Sequence, residues 1–133
     1  MIASILGKDD ILVSGHCHLS GIDIWAEERA DELGTLERAI IHKPKHRRWK
    51  PDGYRDRNLK IARDCEEAHV IVVENYPPNY HGMRFDYCYH CKATDHIKSG
   101  GCWTAWQAVK MGKPAIWHVI AKDGTVTTKE VMG

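Results

Sequence analysis

The chain has almost no net charge. Its 19 Lys and Arg offset 18 Asp and Glu, which leaves +1. A surface so balanced makes no global field to recruit nucleic acid or a membrane, so an anion site must be local. Long apolar runs are also missing, and none approaches the length that spans a bilayer. The opening "MIASILGKDD" is too short and too quickly charged for a secretory signal. These features predict a cytoplasmic protein with no membrane partner. There is no internal repeat and no low-complexity linker. The 5 cysteines are an odd number, which excludes complete internal disulfide pairing and favours thiols or metal ligands in a reducing compartment.

What is present is ordinary globular material. At 133 residues, with 43% hydrophobic and 28% charged residues, the chain fits one domain, 1–133, with its own core. Four short apolar runs stand out: "ILVSG" (11–15), "RAIIH" (38–42), "HVIVV" (69–73) and "AIWHVI" (115–120). Each is continuous, as in parallel strands covered on both faces. Helical patterns lie between them. Over 21–33, Ile22, Trp25, Ala26, Ala30 and Leu33 share one face, with Ser20 as a cap and Gly34 as a stop. A second pattern runs from about Arg55 to Glu66, with Leu59, Ala62 and Cys65 inward. A third runs from about Trp103 to Met111, where "GKP" ends it. Strand and helix alternate, which predicts an α/β fold with a parallel sheet of about four to five strands flanked by helices. The tail "KDGTVTTKEVMG" predicts a turn at Asp123-Gly124 and a short edge strand. A long insert, 75–98, interrupts the alternation, and connections of that length are often functional or independently braced.

Two strand-to-helix loops are rich in glycine. "VSGHCHLSGID" places Ser14, Gly15 and Gly21 between a strand and a helix whose first turn holds Asp23. "KSGGCWTAW" places Gly100 and Gly101 before a helix with Thr104 in its first turn. Unbonded N–H groups at a helix start attract anions, and ligands of open α/β sheets sit beyond the carboxyl ends of the strands. Two such loops on one sheet would face one crevice. The plainer reading of each is a capped strand-to-helix turn.

The segments "LVSGHCHLSGIDIWAEERADELG", "DGYRDRNLKIARDCEEAHVIVV" and "SGGCWTAWQAVKMGKPAIW" resemble, in order, three blocks of the SLOG superfamily. That group includes the DNA-processing-A (Smf) proteins and the lonely-guy phosphoribohydrolases, and the likeness is strongest to its YspA-like branch. The resemblance implies a Rossmann-like domain that binds a nucleotide-derived ligand. The matching positions are Ser14, Gly15, Gly21, Asp23, Arg57, Asn58, Gly100, Gly101 and Thr104. The sequence departs from the family pattern at several points. The usual first strand is missing, so a bare sheet edge is expected, to be covered by a partner subunit in a homo-oligomer. His16 and Trp103 stand where family loops carry glycine. Gln107 stands where the lonely-guy enzymes carry a catalytic glutamate, and an amide cannot replace a carboxylate.

The insert carries different chemistry. Cys88, Cys91, His96 and Cys102 are spaced C-x2-C-x4-H-x5-C, one residue longer in the last gap than a zinc knuckle. Three thiolates and an imidazole suit tetrahedral zinc, which would clip a loop of little apolar content. His90 or the His16-Cys17-His18 cluster could instead supply the fourth ligand. The alternative is a set of buried, inert thiols. No redox cofactor is expected.

The remaining stretches are less specific. "HKPKHRRWKPDGYRDR" (42–57) reads first as a solvated loop and second as a lid over phosphate. "NYPPNYHGMRFDY" either stacks on a base or packs over the core. The bare pattern supports a phosphate-binding α/β protein, and the resemblance implies that its ligand is a small phosphorylated nucleoside or a related nucleotide-derived molecule, held by a sensor or carrier. One alternative is an N-glycosidic hydrolase or transferase with Asp23, Glu74 or a crevice histidine as base. A weaker one is a zinc-stabilised nucleic-acid module, although nucleic acid is not the expected partner.

Overall fold

A computed structural model describes residues 5–7, 9–14, 22–43, 54–76, 78–81, 87–97 and 99–132; Ser14, Ile22, Asp23, Ile24 and Gly100 are described by their backbone only. The chain divides into two compact units, Met1–Cys65 and Glu66–Gly133. Gly15, Gly21, Ser20, the His16-Cys17-His18 cluster and most of the basic loop lie outside the described residues.

The first unit contains strand β1 (Val13–Ser14), helix α1 (Ile22–Glu32), a 3-10 turn (Leu36–Arg38), strand β2 (Ile40–Ile41) and helix α2 (Tyr54–Asp64). β1 and β2 pair in parallel. Gly34 ends α1 as the sequence predicts. Its φ is +72°, and the N–H groups of Thr35 and Gly34 reach back to the carbonyls of Ala30 (2.9 Å) and Asp31 (3.0 Å), which closes the helix in a Schellman turn. Ala30 is fully buried, but Trp25, expected on the same inward face, is 53% exposed. Five residues are roughly 140° of helical rotation, so the two side chains leave the axis in different directions.

The second unit contains strand β3 (Ala68–Val73), helix α3 (Gly100–Lys110), strand β4 (Ala115–Ile120) and strand β5 (Val126–Val131). β3 and β4 are parallel, with Ala68 opposite Ala115 and Val73 opposite Ile120. β5 is the expected edge strand, but it runs antiparallel, with Ile120 opposite Val126. A turn this short can only make a hairpin, because a parallel return needs a crossover of a dozen or more residues. The protein is therefore α/β with a mixed three-stranded sheet flanked by helices. The single parallel sheet of four to five strands is not formed among the described residues. The five strands divide between a pair, β1-β2, and a triple, β3-β4-β5. The apolar runs 11–15 and 38–42 supply only two residues each to pairing, too few for the ladder of a wide sheet.

α3 packs on one face of the triple. Val70, Val72, Ala115, Trp117 and Val119 from the strands meet Cys102 and Ala105 from the helix, and Cys88 of the insert joins them. Those strand residues alternate, which is the two-residue period of a pleated strand. The core thus ends at sulfur atoms from the insert. Lys113 donates to Ala108 and Gly112 to Val109, each at 3.0 Å, with Gly112 at φ +84° and open space where a Cβ would stand. Backbone conformation alone therefore sets the effect of a substitution there. Gly112→Ala is expected to lower stability by about 1–2 kcal/mol, the usual difference between left- and right-handed backbone for an L residue, read as an earlier urea midpoint with an unchanged slope.

Candidate metal centre

The insert turns back on itself at its cysteines. Cys88 and Ala93 form an isolated antiparallel bridge, with N–H to carbonyl distances of 2.9 Å and 3.2 Å. The reversal is tight enough to put Lys92 at φ 55°, the left-handed region. This turn brings Cys88 and Cys91 to one side. The chain then crosses to the sheet, where Ile97 donates to the carbonyl of Val73 at 2.9 Å, and so fixes His96 beside the end of β3. Cys102 comes from the first turn of α3. Ser99 caps that helix, its hydroxyl accepting the N–H of Gly101 at 3.2 Å.

The ligand atoms of Cys88, Cys91, His96 and Cys102 lie within 4.8 Å of one another, close enough to hold a metal ion. No disulfide joins the described cysteines. Cys88, His96 and Cys102 are fully buried, and Cys91 is partly so. The four residues spaced in the sequence as a ligand set are thus the four the fold brings together. Cys102 turns into this cluster although it opens a glycine-led helix. His90, the other ligand considered from the insert, lies with its ring against that of Tyr89.

Each sulfur has hydrogen-bond donors around it. Burial pushes the Cys88 thiol up, but the N–H groups of Cys91 and Ser99 and the neighbouring thiols outweigh it, so the net direction is down. The indole N–H of Trp106 donates to Cys91 Sγ and that of Trp117 to Cys102 Sγ, both at 3.4 Å. Burial pushes both of those thiols up, against the indole bonds. Such donors spread the charge of a thiolate and support it in a buried site. His96 is held from behind. Its Nδ1 lies 2.6 Å from Asp95 Oδ1, which leaves Nε2 facing Cys102 Sγ at 3.6 Å. Asp95 also pairs with Lys129 of β5. Burial raises the Asp95 carboxyl, but Lys129 and His96 more than offset that and hold it below the ordinary carboxylate value. Trp106, Trp117, Asp95 and Lys129 carry no signal at ligand spacing. None of them was singled out from the sequence; the one signal that could have found Asp95 is its place next to His96.

The other sequence-derived positions are divided between the units. In the first unit, Asp23 sits in the first turn of α1. Arg57 Nε donates to Asn58 Oδ1 at 2.6 Å, and the Arg57 guanidinium lies 5.1 Å from the centre of the Tyr54 ring. Asn58 is buried. In the second unit, Gly100, Gly101 and Thr104 form the first two turns of α3. A Cβ on Gly101 would meet the Val70 methyls at 3.8 Å, ordinary packing distance. Glu74 follows β3, and its Oε2 accepts the N–H of Lys122 at 2.8 Å. That bond ties the end of β3 to the turn between β4 and β5.

Metal analysis of the purified chain is expected to find one tightly held ion, lost in Cys88→Ser and Cys102→Ser. Asp95→Asn keeps all four ligands but loses the carboxylate that orients His96. Competition with a chelator should show its affinity reduced about 10- to 100-fold. No helix among the described residues is long and apolar enough to cross a membrane.

Comparison with protein-family models, with curated proteins and with solved structures returned no match, so the functional reading rests on the residues themselves.

Proposed function

We propose that the chain is a zinc-stabilised α/β module that binds a small phosphorylated nucleoside or a related nucleotide-derived ligand, acting as a sensor or carrier. The Cys88–Cys91–His96–Cys102 cluster is the observation that carries the zinc part. Three thiolates and an imidazole are a soft, closed donor set, the kind that suits structural zinc. With Zn–S about 2.3 Å and Zn–N about 2.0–2.1 Å, a tetrahedron places sulfur and nitrogen about 3.5–3.6 Å apart, and Cys102 Sγ and His96 Nε2 lie 3.6 Å apart. With four protein ligands, no position remains for substrate. The ion's work is structural: it ties the insert to the start of α3.

The ligand part is supported by the SLOG-like order of three sequence blocks and by where Cys102 sits. Cys102 shares the first turn of α3 with Gly100 and Gly101. A metal ion bound there would hold that glycine-led helix start rigid before any ligand arrived. Preorganisation of this kind lowers the ordering cost of binding. A sensor or carrier is favoured over a phosphoribohydrolase because Gln107 stands where the catalytic carboxylate would be. Glu74, the best-placed remaining carboxylate, is already bonded to the Lys122 N–H.

The natively purified, metal-loaded protein should release a phosphorylated nucleoside on denaturation, identified by mass spectrometry. Nucleoside monophosphates should bind it without liberating ribose 5-phosphate. Turnover abolished by Glu74→Gln or Asp23→Asn would replace the sensor with an N-glycosidic hydrolase. Failure of every nucleotide probe to bind would remove the ligand reading and leave the zinc centre standing.

A further inference from the structure

We propose that His69 and His118 form a one-proton imidazole bridge that makes the pairing of β3 with β4 sensitive to acid. The two residues are diagonal neighbours on one face of the parallel pair, since Ile116 lies opposite His69 and Ile71 opposite His118. His69 Nδ1 and His118 Nε2 are 3.0 Å apart, and the rings stack at a centroid distance of 5.3 Å. On its far side, His69 Nε2 lies 2.5 Å from Glu67 Oε1. His118 is buried at 8% exposure.

The chain of three groups dictates where hydrogens sit. An ionised Glu67 only accepts, so His69 Nε2 carries a hydrogen. In the neutral pair, His69 Nδ1 is then bare and accepts from His118 Nε2–H. Adding one proton keeps the contact. His69 becomes the donor through Nδ1–H, and the hydrogen of His118 moves to its own Nδ1. Adding a second proton destroys the contact, because both facing nitrogens then carry hydrogen and both rings carry positive charge. One of those rings is buried. The pair must refuse that proton or separate, and separation removes the side-chain contact that ties β3 to β4.

Among the described residues, no acidic side chain pairs with His118. From β5, Thr128 faces His118 and Glu130 faces Ile116, so Glu130 is the acidic group of that strand on the same sheet face. Lys129 belongs to the opposite face, where it pairs with Asp95. α3 packs on that opposite face too, against Val70, Val72 and Trp117. Glu67 is engaged by His69. Burial first, and the neighbouring His69 second, hold His118 below the ordinary histidine value of 6.5. An unfolded chain therefore takes up the proton before the folded one. The stabilisation is complete above about pH 6.5 and is lost as pH falls from there towards the lowered value.

The test uses the full chain with zinc in excess, unfolded in urea from pH 8 to pH 5.5, beside His118→Asn. Parallel samples loaded with cobalt report by their thiolate absorption that the metal centre stays filled, and only pH values at which it does are compared. Below about pH 6.5 the wild-type folding constant should fall by up to about tenfold per pH unit more steeply than that of the variant. Equal pH dependence in the two proteins overturns the proposal. Nitrogen-15 spectra of the wild-type imidazoles test it without a variant. The expected result is uptake of one proton by the pair, with a tautomer switch at His118, before the amide signals of β3 and β4 change. Independent uptake of two protons with those amide signals unmoved overturns it equally.

Discussion

Three sulfur atoms and an imidazole nitrogen meet at the first turn of α3, and the second unit is organised around that meeting. Among the described residues, the insert has no regular helix or strand of its own between β3 and α3, so little backbone hydrogen bonding holds those residues in shape. Its order comes from the bridge at Cys88 and Ala93, from the Ile97–Val73 bond and from the ligand cluster. The same cluster forms one end of the hydrophobic core, where Cys88 and Cys102 pack with Val70, Val72 and Trp117. Core and candidate metal centre are therefore one object. Thiolate charge held so close to an apolar core would need compensation, and the N–H groups of Trp106, Trp117, Cys91 and Ser99 are placed to supply it.

This arrangement gives the tryptophans two jobs. Trp106 and Trp117 meet ring to ring, with centroids 5.0 Å apart, and fill volume between helix and sheet. Each also turns its one polar hydrogen to a sulfur. A buried indole N–H without a partner would be a penalty, so sulfur and indole satisfy each other. Asp95 works in a similar way, linking a ligand histidine to Lys129 on an edge strand whose residues are otherwise mostly exposed. The result is a continuous line of polar contacts from the metal cluster to the sheet edge. On the opposite face of the sheet the Glu67–His69–His118 line is built from different groups, which makes it chemically separable from the sulfur centre.

Local signals in the sequence were reliable where a local rule applied. The three helices appear within a few residues of their expected spans, because apolar spacing and the stop signals Gly34 and Gly112 act over one or two turns. The hairpin at Asp123-Gly124 was equally legible, since a turn forces its flanking strands together. The ligand set was readable because cysteine and histidine at short spacings are the donor pattern of a small metal site. Sheet membership was not readable. A continuous apolar run says that a segment is buried, but not which strand it pairs with or how many of its residues pair. Hence "ILVSG" and "RAIIH" were expected in the main sheet and instead form a two-residue ladder of their own. Trp25 was misplaced for a related reason, as amphipathic spacing defines a stripe but not its edge.

By itself the sequence determined the alternation of strands and helices, the places where helices stop, and a candidate set of four residues able to bind a metal, with other histidines still open as the fourth ligand. Those follow from neighbours along the chain, where spacing and backbone geometry act directly. Only the tertiary structure decided that the four residues converge, that indoles 15 residues away from two of the sulfurs donate to them, and that His69 and His118 touch across two strands 49 positions apart. Contacts of that range depend on strand register and on which face a side chain leaves. Both are set when the sheet and its helix pack together, not by any stretch of residues read in order.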